Sequence, residues 1–254
     1  MIYIPRDQVE WKQVTYLKTS EEGPEENHVW KYEFSLPRPL ADWDVWAVWE
    51  KERIASMDAH LKQGDVMFDI GTEQGWCNLA YAEMVGPEHM VLIEPTREFW
   101  PGIRQIWEKN GNPEPKACLS ALLSDKDSGA VTMETGWPAE SVGDMIDRNK
   151  YQYIHDNKEG IPEIKLDTWV ERTAIIPDAL TMDAEGAELL ILRGARETLE
   201  THHPKCWISV HPDLGLRDYG ITAGETIKFM EDLGYVGDHL ATDHEVHYYF
   251  EYQA

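Results

Sequence analysis

The stretch Val66-Met67-Phe68-Asp69-Ile70-Gly71-Thr72-Glu73-Gln74-Gly75-Trp76-Cys77-Asn78 constrains the fold of this chain more than any other. A short apolar run stops at a turn of small residues. An amphipathic segment with Leu79, Ala82, Met84 and Val85 follows. That succession is a buried strand, a glycine turn and the start of a helix. Gly71 and Gly75 carry no side chain to keep a ligand off the backbone. The amides at the new helix's N-terminus face any anionic group placed there. Asp69 and Glu73 would repel a polyphosphate, so a ligand carrying both a positive charge and a carboxylate fits better.

From Asp65 onward strands and helices alternate, which predicts a parallel sheet with right-handed crossovers. The strands are read at Val66–Ile70, His89–Glu94, Lys116–Leu123, Ala179–Asp183 and Cys206–His211. Helices are read at Gly75–Val85, Thr96–Asn110, Asp167–Arg172, Glu185–Glu200 and Thr222–Leu233. Ala130–Glu134 and Ile161–Leu166 look extended. Tyr235–Leu240 and His244–Tyr252 flank Ala241-Thr242-Asp243 and are expected to pair as an antiparallel hairpin. Upstream, His28–Leu36 alternates like a strand, and the acidic run Glu21–Glu26 reads as a solvated loop. Trp43–Leu61 has an apolar stripe at helical spacing that includes Arg53, Ile54 and Met57. Trp43, Trp46 and Trp49 have two readings, core packing or an aromatic platform for a sugar face. Residues 137–160 have little periodicity and are read as a lid over the site or a surface excursion.

Two motifs resemble a known family. Asp69-x-Gly71-x-x-x-Gly75 after an apolar strand is similar to motif I of class I S-adenosylmethionine (SAM) methyltransferases. Met182-Asp183-Ala184-Glu185-Gly186-Ala187-Glu188, followed by Leu189-Leu190 and Arg193-Gly194-Ala195, resembles the signature of the FkbM-type methyltransferases. The resemblance covers roughly Asp65 to His211. It implies an α/β fold: a Rossmann-like seven-stranded, mostly parallel sheet, with a C-terminal antiparallel hairpin and helices on both faces. Residues 1–60 are then an N-terminal strand/helix extension packed on the core, and residues 61–254 the methyltransferase domain.

The same resemblance implies the cofactor, SAM, and the residues that hold it. Asp69, Gly71, Thr72, Glu73, Gly75 and Trp76 would line its methionine half, with Asn78 bonding the carboxylate and Asp183 orienting the ammonium. Glu94, Pro95 and Thr96 would hold ribose and adenine, and Ala121, Leu122 and Ser124 would flank the adenine ring. An acidic residue at the second strand's end suits ribose hydroxyls in NAD-binding proteins too, but Gly-x-Gly-x-x-Gly is absent here. Asp183 and Glu185 stand at the carboxyl end of a core strand, where open α/β sheets bind ligands. An alcohol acceptor needs a base or a metal to lower its pKa. Glu185 would take the proton, and Asp183 would alternatively ligate Mg²⁺. Asp183 can also be read as a plain helix N-cap. Ser209 stands where the family commonly has a Glu, which leaves a second acidic ligand in doubt. His211, with an unperturbed pKa near 6.5, would substitute as base. The expected reaction is O-methylation of a hydroxyl, on a sugar or glycan. The rivals are a nucleotide-dependent oxidoreductase and a non-catalytic SAM-binding module.

Charge narrows the partners. Among 254 residues, 47 acidic against 23 basic side chains leave a formal net charge of −24, which disfavours nucleic acid. A small-molecule or glycan acceptor fits, and a homo-oligomer stays open. Three widely spaced cysteines, Cys77, Cys118 and Cys206, suggest core thiols of a reducing compartment. No apolar run approaches membrane length, so a cytoplasmic protein off the membrane is expected.

Overall fold

The computed structural model describes residues 3–17, 31–42, 50–131, 136–146 and 160–253. Its centre is a seven-stranded sheet. The strands are β1 (Met67–Ile70), β2 (Met90–Ile93), β3 (Ala117–Leu119), β4 (Ala179–Asp183), β5 (Lys205–Val210), β6 (Tyr235–Thr242) and β7 (Val246–Tyr252). They lie in the order β6-β7-β5-β4-β1-β2-β3. The first five strands run parallel, and β7 is antiparallel to both β5 and β6. The strand order reverses between β1 and β4, so the carboxyl ends of these two neighbours form the switch point where open sheets bind ligands.

Alternation along each strand splits the core into two layers. On one face Met67, Met90, Leu92, Ala179 and Trp207 pack with α1 (Lys51–His60), α2 (Cys77–Val85) and α3 (Trp100–Lys109). On the other, Phe68, Ile70, Val91, Leu180, Met182 and Ile208 meet α4 (Leu166–Thr173), α5 (Glu188–Arg193), α6 (Arg196–His202) and α7 (Ala223–Asp232). The start of α7 is fixed by a capping box, with Thr222 and Glu225 each bonding the other's backbone amide. The cysteines are free thiols, two of them buried and Cys77 partly so.

The structure corrects three readings. The third strand is not continuous: Ala117–Leu119 belongs to the main sheet, whereas Leu122–Leu123 turns off to pair with Glu163–Ile164. The segment read as one helix over Glu185–Glu200 is two, α5 and α6, broken at Gly194-Ala195. The break has a packing cause. A side chain at Gly194 would place its first carbon 2.0 Å from the Ser124 carbonyl oxygen, so helix and loop touch backbone to backbone. Upstream, Trp11–Leu17 and Lys31–Pro37 form a hairpin that the sequence showed only in its second strand. Leu36 and Leu40 carry this extension into the same apolar layer as Ile54 and Trp107. Tyr3–Ile4 pairs with Met145–Ile146, inside the segment read as a lid. The readings at Trp43, Trp46, Trp49, the acidic run Glu21–Glu26, residues 28–30, 132–135 and 147–159 lie outside the described residues. Ala130 and Val131 are not in a strand.

Gly194→Ala is expected to destabilise the chain by about 3 kcal/mol, because neither backbone can yield easily. Urea unfolding followed by circular dichroism measures this. A loss below about 0.5 kcal/mol, the range of a neutral surface change, would show that the contact is not tight.

Candidate functional site

The glycine turn leaves β1 at Ile70, and its first two amides, Gly71 and Thr72, donate to the Ile93 carbonyl of β2. Gly71 has φ +87°, and a Cβ there would fall 1.9 Å from the Asp183 carbonyl oxygen. Only glycine permits both the conformation and the approach. The turn therefore lies against β4 on one side and β2 on the other. Asp69, Glu94 and Asp183 accordingly stand on three adjacent strands at one end of the sheet. Glu73 and Glu185 each take a left-handed conformation, with φ of +48° and +50°. Such strain in non-glycine residues persists only where the surroundings fix it, and both lie in turns at these strand ends.

Glu94 is buried. Its Oε1 accepts the Thr96 amide at 2.7 Å and its Oε2 the Glu73 amide at 2.9 Å. Burial raises its pKa to about 7 against the pull of those amides. Each carboxylate oxygen keeps a second lone-pair direction. Thr72 Oγ1 ties the turn to the Asp69 carbonyl. Asp69 is also pushed up to about 7, first by burial, with Arg53 and Thr72 pulling the other way. Asn78, at the start of α2, is 1% exposed, and neither polar atom of its amide has a hydrogen-bond partner. The Gln74 Nε2 is likewise buried without one. Beside an uncluttered glycine turn, these orphaned amides fit a polar ligand such as the carboxylate end of SAM. Trp76 is buried in the apolar layer above β1, and Ala121 in the one below. Leu122 and Ser124 lead away along the small sheet, where the Ser124 amide donates to the Ile164 carbonyl.

A second group of residues gathers at the ends of β4 and β5. His211 is buried, with Nδ1 2.9 Å from Glu188 Oε1. Its Nε2 lies 3.3 Å from Glu245, 3.5 Å from Asp183 and 3.9 Å from Glu185. Burial works to lower its pKa, but the Glu188 hydrogen bond and the charges of Asp183, Glu188 and Glu245 raise it to about 9. At neutral pH this histidine is an imidazolium. Asp183 is held well above the carboxylate range by burial and by Glu245, against His211 and Arg53. It does not cap a helix: the residue at the start of α5 is Ala187, without a side-chain cap. Asp183, Glu185 and His211 together offer three donor atoms within 4.8 Å of one another, close enough for one divalent ion.

Beneath them lies Arg53 of α1, 3% exposed. Its Nη1 donates to Glu50 at 2.8 Å and to Ser209 Oγ at 3.1 Å, and its Nη2 donates to Thr181 Oγ1. Burial opposes the charge most, and Glu50, Tyr81, Asp183 and Cys77 together outweigh it. Sequence reading missed Glu50, Arg53, Glu188, Glu245 and His247. A signal existed for two of them. Arg53 sat inside a stripe otherwise apolar, where a charge needs a partner. Glu188 closed the acidic run that begins at Asp183. Glu245 and His247 alternate with apolar residues in an ordinary strand pattern and gave none.

The sheet order and the glycine turn define the class by fold: a Rossmann-like α/β protein with its acidic residues gathered at the switch point. A family model described as the methyltransferase FkbM domain matches residues 65–236, well over half of the chain. The protein belongs to the FkbM methyltransferase family. Among solved structures it is similar to a methyltransferase FkbM from Methylobacillus flagellatus KT, at 17% identity and a TM-score of 0.48. That match covers 75% of this chain and 44% of the other, so the chain spans less than half the length of that relative. It is also similar to a precorrin-6y C5,15-methyltransferase from Geobacter metallireducens GS-15, at 12% identity and a TM-score of 0.47, covering 81% and 88% of the two chains. A SAM-dependent O-methyltransferase from Thermotoga maritima matches at 13% identity and a TM-score of 0.41, covering 80% and 66%. No curated protein matches the chain. Among the described residues no helix is long and apolar enough to cross a membrane.

The buried carboxyl at Glu94 makes a pH prediction. Its folded pKa lies above the ordinary 4.5, so its contribution to stability is full below that value and is lost as pH rises through about 7. Asp69 acts in the same direction. The ligand-free chain should therefore lose stability between pH 4.5 and 7, and Glu94→Gln should flatten that fall by on the order of 2–3 kcal/mol. Denaturant titrations across this range check it, and equal slopes for both proteins would count against a buried, neutralised carboxyl.

Proposed function

We propose that the protein transfers a methyl group from SAM to a hydroxyl oxygen, with a sugar or glycan as the acceptor. The observation that carries this reading is the meeting of Asp183, Glu185 and His211 beside the glycine turn. When bound, SAM supplies an electrophilic methyl on a good leaving group. What remains is removal of the acceptor's proton, which needs a base within hydrogen-bond reach.

Glu185 is the base in this reading. Its side chain is about half exposed, at the rim of the cluster, so an acceptor can reach it from solvent. Its strained turn fixes the carboxylate near His211. The His211 imidazolium faces the carboxylates of Glu188 and Glu245. Deprotonated, above pH about 9, it accepts a proton itself. In the alternative with a metal, Asp183, Glu185 and His211 would together hold a divalent ion, and its lowering of the hydroxyl's pKa would replace Glu185 as base. Imidazole suits Zn²⁺ better than the Mg²⁺ expected from sequence. Glu94, with spare lone pairs directed away from its two amides, suits ribose hydroxyls. The Asn78 and Gln74 amides suit the methionine end. A net charge of −24 supports a neutral acceptor over a polyanionic one.

Two outcomes test the reading. Calorimetry should show SAM and its demethylated product binding with dissociation constants near micromolar, ~8 kcal/mol. Binding of neither would remove the cofactor assignment. Glu185→Gln should leave SAM affinity within about twofold and reduce turnover on glycan acceptors by roughly 10²-fold. Unchanged turnover would take Glu185 out of the chemistry.

A further inference from the structure

The turn between β6 and β7 carries Asp243-His244-Glu245, with His247 following on β7. Their functional atoms converge. Asp243, Glu245 and His247 present donor atoms that all lie within 4.8 Å of one another. This trio stands on different elements from Asp183, Glu185 and His211 and adjoins them through Glu245, 3.3 Å from His211 Nε2.

An acidic turn alone would be a solvated loop. Here two of the three side chains are buried, and the ring nitrogen of one of them has no hydrogen-bond partner. His247 is 1% exposed and its Nε2 has no hydrogen-bond partner. Glu245 is 2% exposed, with Oε2 3.3 Å from His211 Nε2 and Oε1 facing His244. Buried polar atoms are normally satisfied, and each orphan costs roughly 1–3 kcal/mol in a protein interior. The rest of each side chain is held in place. The His247 Nδ1 lies 2.9 Å from Ser209 Oγ. That oxygen also accepts from Arg53 and has two lone pairs, so it can take a second N–H from His247. In this tautomer the Nε2 lone pair points at carboxylates, an arrangement that a cation satisfies and a metal-binding histidine commonly shows. The competing tautomer would donate Nε2–H to Asp243, but Oδ2 stands 3.5 Å away, beyond ordinary hydrogen-bond length. His244 approaches the other oxygens, Asp243 Oδ1 at 3.0 Å and Glu245 Oε1 at 3.1 Å, and orients both carboxylates.

We propose that Asp243, Glu245 and His247 bind a divalent first-row transition-metal ion, Zn²⁺ or Mn²⁺. One imidazole and two carboxylates make a mixed nitrogen and oxygen set with room for water ligands. Mg²⁺ and Ca²⁺ favour oxygen alone. The ion would clamp the β6–β7 turn onto β5 through His247 and Ser209, and it would neutralise charge beside Asp183 and Glu50. This site does not depend on the methyl-transfer reading.

The test uses the full chain without an affinity tag, stripped with chelator and titrated calorimetrically with ZnCl₂ and with MnCl₂. The variants are Asp243→Asn, His247→Gln and Asp183→Asn, and melting temperature is followed in parallel. Wild type should bind an ion and melt at a higher temperature with it. Asp243→Asn and His247→Gln should weaken that ion by at least about tenfold and lose the shift. Asp183→Asn should retain it. Asp243 lies on an exposed turn, so its variant decides the matter if His247→Gln fails to fold. No binding by wild type at millimolar metal overturns the proposal. So does unchanged binding by Asp243→Asn, or loss of the only ion in Asp183→Asn, which would assign it to the other cluster.

Discussion

The buried guanidinium of Arg53 is the interaction that the site depends on. The face of the sheet covered by α1 is apolar at Met67, Ala179 and Trp207 but turns polar toward the carboxyl ends, at Asp69, Thr181, Asp183 and Ser209. Carboxylates at this depth would lose their charge without a cation close by. Arg53 supplies it from above, bonding Glu50, Thr181 and Ser209 at once. Arginine suits the place because its planar fork makes several bonds and its charge survives burial. Such a cation need not add net stability, since desolvation cancels much of the attraction. What it does is keep α1 in register on the sheet, and that register brings Glu50 and Asp183 to one end of it.

Around this cation three buried acids are accommodated in three different ways. Glu94 is held by backbone amides and sits near its titration point. Asp69 has Arg53 and a threonine hydroxyl, which do not fully offset its burial. Glu188 binds the amide of Gly186 and the ring of His211. The consequence is a site whose protonation is unsettled near neutral pH. A charged ligand entering such a site shifts proton equilibria as it binds, because Glu94 and Asp69 are close enough to their midpoints to respond. A positively charged cofactor favours the ionised forms of Asp69 and Asp183, and so agrees with the electrostatics of the site.

The legible part of this structure was local. The glycine turn, the strand before it, Glu94 and the Asp183–Glu188 run are contiguous words in the sequence, and the parallel sheet followed from alternation of strand and helix. What escaped reading was built from long-range contacts. Arg53 meets Thr181 and Ser209 across more than a hundred residues, and Glu245 meets His211 through the end of a hairpin. Helical spacing recorded Arg53 as one more member of a stripe, because periodicity reports which face is buried and says nothing of what it meets there. The helix breaks where Gly194 closely approaches the Ser124 carbonyl, just past the strand that turns off the sheet. A lone glycine within a helical pattern leaves open whether it is tolerated or required.

Ser209 looked at first like a lost function, a hydroxyl where a carboxylate was expected. Its surroundings give it another meaning. The small side chain leaves room for Arg53 on one side and for His247, its ladder partner on β7, on the other. A glutamate there would occupy both spaces. The acidic group that β5 lacks arrives instead from the hairpin, where Glu245 reaches to 3.3 Å from the Nε2 of His211. The charge around His211 is thus set by the neighbouring turn, through an antiparallel pair whose register puts Ser209 opposite His247. A strand that gives up a carboxylate in this way ties the histidine's protonation to the geometry of the C-terminal hairpin. The last two strands are therefore as much a part of the site as the glycine turn.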